Sequence, residues 1–328
     1  MEPGQENGRG MRKAWAVLDY HLHLWPHTDR ATAPAVDRVA AYCARAQAAG
    51  VVEVALTEHL FRFAQADRLL GGFWEAAPDS PALRRSMADY WAFHATADLD
   101  AYVDTVLEAK RQGLPVVLGL EVDYYRGRMD KVAALLDDYP FDVLLGSVHW
   151  VGAWRFDDVD DAPSVAEWDA RAVDAVWDDY TGAIEELAAT RTCDVLAHPD
   201  LVKALGHRPA APAEWWDRIA EAAATSKMAA EVSSAGWRSP AGEQYPAEGL
   251  LARMAARGVP FTTASDAHRL DHVADRAPDL HRLLASVGVD RLRAYRRRQG
   301  HTLPLAPPVD DVPGGGRAAG AGANGARP

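Results

Sequence analysis

With 328 residues, 48% of them hydrophobic and 11 of them tryptophan, the chain can fill one large α/β core or two smaller ones. A net charge of −12 argues against a nucleic-acid-binding face, which is normally basic, and no apolar run nears the roughly 18–20 residues that cross a bilayer. The two cysteines, Cys43 and Cys193, are too few for a disulfide framework and read as buried free thiols. Residues 1–13 are polar and Gly-rich, without a signal-peptide core, so a disordered N-terminal extension and a cytoplasmic location are expected.

From residue 14 onward, apolar β-rich runs alternate with amphipathic stretches. Strands are expected at 14–20, 51–57, 115–121, 142–148, 193–197, 228–233 and 259–264. Helices are expected at 34–49, 98–112, 128–138, 164–190, 212–226, 246–257 and 277–286. Pro34 opens the first helix, and Val36, Val39, Ala40 and Cys43 line one face of it before Gly50 stops it. Seven strands, each followed by a helix, imply a parallel sheet with right-handed crossovers. Their even spacing favours closure into a distorted barrel over residues 14–303. No G-x-G-x-x-G follows the first strand, which weakens a dinucleotide-binding alternative. Residues 61–97 interrupt the alternation as an aromatic-rich insertion, expected to build a small core or to wall a site. Residues 304–328, rich in Pro, Gly and Ala, read as a disordered tail.

Chemistry-bearing residues gather where those strands end. The first expected strand leads into Asp19-Tyr-His21-Leu-His23, whose two histidines at i and i+2 face one side of an extended chain. His27 follows in a loop. Later strands end in Glu58-His59, Glu121-Val-Asp123, His149-Trp150, His198-Pro-Asp200 and Asp266-Ala-His268. Seven of the twelve histidines thus fall at or just past strand ends, the rim where barrel enzymes keep their sites. Imidazole and carboxylate together on one rim suit a cluster of divalent metals. His94, His207, His281 and His301 fall elsewhere, and His272 reads as solvent-facing. Asp19, Glu58 and Asp200 are expected to orient imidazoles from behind. Arg238, beyond strand six, is the first candidate to clamp a phosphate, with Arg269 and Arg62 after it. Arginine outnumbers lysine 30 to 5, so abundant Arg by itself carries no weight as a phosphate signal.

Taken in order, Asp-Tyr-His-Leu-His at 19–23, Thr-Glu-His at 57–59, Gly-Leu-Glu-Val-Asp-Tyr at 119–124 and Gly-Ser-Val-His at 146–149 form a recognisable set. His-Pro-Asp at 198–200, Glu-Val-Ser-Ser-Ala-Gly-Trp-Arg at 231–238 and Ser-Asp-Ala-His at 265–268 complete it. The set resembles the polymerase-and-histidinol-phosphatase (PHP) superfamily of metallophosphoesterases over about residues 14 to 285, and most of all its monofunctional histidinol-phosphate phosphatase branch. The resemblance implies a distorted (β/α)7 barrel with its metal site at the C-terminal ends of the strands. It implies two to three divalent ions, zinc, manganese or iron. The first would take His21, His23, Glu121 and Asp266, the second Glu121, His149 and His198, and the third His27, His59 and His268. Glu121 would bridge the first two. The loop before His27 looks shorter than the family's usual spacing.

Asp266, Glu121 and His268 are then the expected catalytic residues, with Asp266 a proton acceptor or donor. The expected reaction is hydrolysis of a small phosphorylated metabolite, L-histidinol phosphate first and a nucleotide, sugar or cyclic phosphate as the alternative. Three divalent ions on two carboxylates leave roughly +4 locally, enough to draw an anionic substrate to an acidic protein. An amidohydrolase would bridge its metals with a modified lysine at a strand end, and none of the five lysines ends a central strand. A metal-binding scaffold without activity is the remaining alternative. Neither nucleic acid nor membrane is expected as a partner, and the sequence does not express an oligomeric state.

Overall fold

The structure, a computed structural model, describes residues 16–306. Seven strands form one parallel sheet in sequence order: β1 (Leu18–Leu22), β2 (Glu53–Leu56), β3 (Val116–Asp123), β4 (Val143–Ser147), β5 (Val195–Leu196), β6 (Ala229–Ser233) and β7 (Phe261–Ala264). Residues of β1, β3, β4, β6 and β7 are buried throughout, as expected where helices cover one face of a sheet and a barrel interior the other. Strand β7 meets β1 through a few bonds rather than a full ladder. His23 N–H donates to Ala267 O at 2.9 Å and the Thr263 hydroxyl to Leu18 O at 2.7 Å. The result is the expected distorted (β/α)7 barrel.

Around it run α1 (Val36–Ala48), α2 (Ala64–Leu70), α3 (Pro81–His94), α4 (Leu99–Arg111), α5 (Met129–Leu136), α6 (Ala162–Ala170), α7 (Val173–Thr190), α8 (Ala213–Ser226), α9 (Glu248–Ala256) and α10 (Ala277–Ser286). Local chemistry sets several of their ends. The Ser80 hydroxyl accepts Leu83 N–H with Pro81 opening α3, Asp98 caps α4 and Asp161 caps α6. Gly50 sits at φ +83° just past α1, a conformation that favours glycine.

Four expectations need correction. The first strand lies at Leu18–Leu22 rather than 14–20, which carries His21 into the strand itself. The helix expected over 164–190 is two, broken at Arg171–Ala172, where the chain turns extended. An antiparallel hairpin, β8 (Arg291–Arg296) and β9 (Gln299–Pro304), follows α10 where no element was expected. The disordered tail cannot begin at 304, because Ala16 N–H donates to Pro304 O at 2.9 Å and Leu305 is buried. The extension at 1–13 and the tail beyond 306 lie outside the described residues.

The hairpin seals the barrel's N-terminal end. Tyr295 N–H donates to the Tyr20 hydroxyl at 3.1 Å, Arg296 pairs with Glu53 at the start of β2, and Arg298 pairs with Asp194 just before β5. The insertion supplies α2 and α3, and Phe61, Phe63, Trp74 and Trp91 are buried in an aromatic cluster. Phe73 joins that cluster to the strand ends, its ring centroid 5.3 Å from those of both Tyr125 and Trp150. Both readings of the insertion therefore hold: most of its aromatics form core, while Phe61 and Tyr90 line a cavity at the strand ends.

Candidate metal centre

Strand β3 is the longest in the barrel, and its C-terminal half carries Glu121 to the centre of the rim, fully buried. Five imidazoles close on its two oxygens. Oε2 lies 2.7 Å from His59 Nδ1, 3.2 Å from His21 Nε2 and 3.5 Å from His23 Nε2. Oε1 lies 3.0 Å from His198 Nε2 and 3.4 Å from His149 Nε2. Asp266 Oδ1 adds a second focus, 3.5 Å from His23 Nε2, 3.6 Å from His268 Nδ1 and 3.8 Å from His21 Nε2. His59 then turns its Nε2 toward His27 Nε2 at 3.3 Å and His268 Nε2 at 3.4 Å. All nine expected ligands, from six of the seven strand ends, thus meet in one basin. The short loop still delivers His27, whose Nδ1 is 3.1 Å from the Tyr90 hydroxyl.

Two of these residues sit on unusual backbone. His198 has φ +22° and Asp266 φ +50°, in the left-handed region that costs a non-glycine residue about 1–3 kcal/mol. Both stand just past a short strand, where the strained turn aims the side chain back over the barrel.

The donor set fits divalent metal. His21 Nε2, both nitrogens of His23, His59 Nδ1, Glu121 Oε2 and His198 Nδ1 are buried without a hydrogen-bond partner, a costly state for so many polar atoms unless something else meets them. Among the described residues four sets offer ligand atoms within 4.8 Å of one another: His21, His23 and Asp266; His21, Glu121 and His198; His23, His59 and His268; and His59, Asp123 and His149. Ligation needs neutral imidazoles, and these divide: against burial, neighbouring carboxylates raise His21, His23 and His149, the last to about 10. Burial, with the neighbouring positive imidazoles, holds His27 and His268 well below the ordinary histidine range. Burial also lowers His59, against the pull of Glu121. It opposes ionisation of Glu121, yet His59, His21 and His149 outweigh it and keep the carboxyl well below its usual range.

The carboxylates behind the imidazoles are only partly the expected ones. His21 Nδ1 is 2.7 Å from Glu231 Oε2 on β6, and His149 Nδ1 is 2.6 Å from Asp123 Oδ1 on β3. Such contacts fix the tautomer and orientation of a ligating imidazole. Glu58 approaches His23 Nδ1 at 3.7 Å while accepting Leu24 and Trp25 N–H, so it orients the ring and pins the loop after β1. Asp19 and Asp200 do not orient imidazoles. Asp19 accepts from the Ser265 amide and hydroxyl and from Ala274 N–H, tying β1 to the end of β7. Asp200 accepts from Lys203 at 2.8 Å and Ala247 N–H at 2.8 Å. Glu121 and Asp123 stand two apart on one strand and so share a face, the signal that would have found Asp123. Counting Glu58, Asp123 and Glu231, the surplus charge of a three-metal site falls to roughly +1.

None of the three expected phosphate arginines enters the basin. Arg238 donates to Ser265 O, to Asp266 O at 3.2 Å and to Asp275 Oδ2 at 2.8 Å, bracing the backbone that carries Asp266. Arg62 is fully buried and donates to Trp25 O and Pro26 O, both at 3.1 Å, securing the segment that leads to His27. Arg269 is largely exposed and pairs with its neighbour Asp271. The arginine that does line the basin is Arg155, held by Asp158 and Ser86 with its guanidinium 4.1 Å over the Tyr90 ring. In a chain with 30 arginines nothing in the sequence set it apart.

Above the histidines the basin opens as a cavity of about 250 Å³. His27, His59, His149, His198, Asp266 and His268 form its floor, and Phe61, Tyr90, Trp150, Asp157, Asp158 and Asp160 line the rest of it. An outer space of about 580 Å³ shares His27, Tyr90, Arg155, Asp158 and Asp160 with it.

A barrel of seven parallel strands with this histidine and carboxylate rim defines a class, and the sequence comparison agrees. Residues 21–235 match the PHP domain model, and the chain belongs to the PHP domain family. It is 35% identical over 186 residues to the "Probable histidinol-phosphatase" of Deinococcus radiodurans, an alignment that spans 57% of this chain and 70% of that protein. Among solved structures it is similar to the histidinol phosphate phosphatase of Lactococcus lactis, crystallised with zinc, L-histidinol and phosphate. The TM-score is 0.63 over 88% of this chain and 99% of that one, and at 19% identity the likeness is one of fold.

Proposed function

We propose that the protein is a metal-dependent phosphomonoesterase that hydrolyses L-histidinol phosphate to L-histidinol and phosphate. The observation that carries this reading is the convergence of seven imidazoles with Glu121 and Asp266 on one basin inside a PHP barrel. The names borne by the Deinococcus relative and the Lactococcus structure support the substrate. Two buried free thiols suit a reducing compartment, and the reading places the enzyme in the cytoplasm. No helix among the described residues is long and apolar enough to cross a membrane.

In this reading His21, His23, Glu121 and Asp266 hold one ion, Glu121, His149 and His198 a second, and His27, His59 and His268 a third. Divalent ions, when bound, acidify a water and polarise phosphoryl oxygens for in-line displacement. Zinc, manganese and iron all suit an imidazole-rich set. The chain's own groups do the rest. Glu231 and Asp123 accept Nδ1–H from His21 and His149, which leaves each Nε2 lone pair directed at the basin. Phe61, Tyr90 and Trp150 exclude water from the part of the cavity they line. Asp266, the carboxylate with a side chain 16% exposed at the mouth, is assigned to hold the proton passed between water and leaving alkoxide. Arg155 is assigned as the guanidinium beside the bound phosphate.

A phosphate-release screen over phosphorylated metabolites tests this, with the purified protein reloaded separately with zinc, manganese and iron. L-histidinol phosphate is expected to be the best substrate, and His21→Ala and Asp266→Ala to lose turnover. Metal-loaded protein that leaves L-histidinol phosphate intact while hydrolysing another ester removes the assignment.

A further inference from the structure

The loop from Trp154 to α6 carries four aspartates, and the fold treats them differently. Asp158 accepts from Arg155, and Asp161 accepts from the Ser86 hydroxyl at 2.7 Å and from Ser164 N–H at 2.9 Å. Asp160 is exposed. Asp157 is different again. It lines the cavity beside His149 and His198, and among the described residues no side chain or amide but its own donates to its carboxylate.

A carboxylate in a cavity built for a phosphate ester repels the substrate it faces, and Asp157, half-buried there, has no protein donor to offset that charge. Such a group is explained if the substrate brings the missing partner. The histidine floor fixes where the phosphate goes, so Asp157, which lines the same cavity without being a proposed ligand, is left to meet the rest of the molecule. Phe61, Tyr90 and Trp150 line the same cavity and offer flat apolar surface to an alkyl or ring-bearing group.

We propose that Asp157 is the specificity-determining residue that receives a cationic amine on the ester group, so that the cavity selects amine-bearing phosphate monoesters over neutral ones. The inference rests on the phosphomonoesterase reading and adds a residue to it. A neutral ester leaves Asp157 without a partner, and a site built to pair with a substrate NH discriminates strongly against analogues that lack it.

The experiment compares kcat/KM for L-histidinol phosphate, phosphoethanolamine and glycerol 3-phosphate in the metal-loaded wild type, Asp157→Asn and Asp157→Glu. The ratio of amine-bearing to neutral ester is expected to fall about tenfold or more in Asp157→Asn, mainly through KM, the scale of a lost charge-assisted hydrogen bond. Asp157→Glu, which keeps the charge, is expected to recover part of the ratio. In the wild type, raising ionic strength is expected to increase KM for the amine-bearing esters more than for glycerol 3-phosphate, a readout that needs no variant to fold. A ratio unchanged in Asp157→Asn overturns the proposal, as does equal salt dependence for the two ester classes. If L-histidinol phosphate is not hydrolysed but phosphoethanolamine is still preferred, and that preference depends on Asp157, the substrate named above falls while this inference stands.

Discussion

Glu231 and Asp123 test the site at the scale of single residues, because each touches a proposed ligand without being one. Replacing an orienting carboxylate behind a metal-bound imidazole typically weakens metal affinity 10–100-fold. Glu231→Gln and Asp123→Asn are each expected to show such a loss in a chelator competition titration, with the fold retained by circular dichroism. Metal affinity unchanged in both would mean that His21 and His149 need no support from behind. Asp19→Asn serves as the contrast: it is expected to lower the melting temperature, through its bonds to Ser265 and Ala274, more than it weakens metal binding. A pH effect belongs to His94, which burial and the nearby Arg62 and Arg155 push down to about 3. Its folded pKa lies below the unfolded value of 6.5, so the unfolded chain binds the proton first and stability falls as pH drops through 6.5 toward 3. Between pH 6.5 and 5 the loss from this group is about 2 kcal/mol. His94→Gln is expected to show a shallower fall in melting temperature over that range than the wild type. Parallel curves would contradict the assignment.

At the scale of elements, β3 and the loop after β1 carry the site, and the hairpin and the insertion hold them. Arg62 shows how. It is buried against Glu58 and the carbonyls of Trp25 and Pro26, at the start of the insertion, and it fixes the path of residues 25–27. Arg62→Met leaves Glu58 buried without its cation and is expected to cost about 3–5 kcal/mol. It should also loosen His27, so that one equivalent of metal is lost at chelator concentrations the wild type withstands. A variant as stable as the wild type with its full metal complement would mean that the segment holds itself. The hairpin β8–β9 was invisible beforehand for a physical reason. Its apolar residues Leu292, Ala294 and Tyr295 are few, and the arginines between them look like solvent-exposed charge, although Arg296 and Arg298 lock onto Glu53 and Asp194. Isolated hairpins are marginal, and this one is held by pairing with the barrel's lower rim, which local sequence does not express.

For the molecule as a whole, the order of strands was readable because parallel strands buried on both faces leave continuous apolar runs. The seven histidines among the nine proposed ligands were readable because histidine is rare and its placement at strand ends stands out, while Glu121 and Asp266 were reached through the family resemblance. Carboxylates and arginines carry no such contrast in a chain with 47 acidic and 35 basic residues. Glu231 sat in view within the Glu-Val-Ser-Ser stretch, yet only the closed barrel shows that β6 faces His21 across it. Arg238 seemed poised to clamp phosphate because it ends a rim segment, and the fold spends its donors on the Ser265 and Asp266 carbonyls instead. The overall charge of −12 similarly says little about the basin, where bound ions set the local field.

Elemental analysis of the purified chain by mass spectrometry, after dialysis and for the wild type beside Glu121→Ala, bears most directly on the claim that these imidazoles share one ion-filled basin. The expected result is two to three divalent transition ions per wild-type chain and a clear loss in Glu121→Ala. A wild-type chain that retains no such ion, or an unchanged complement once Glu121 is gone, would contradict it.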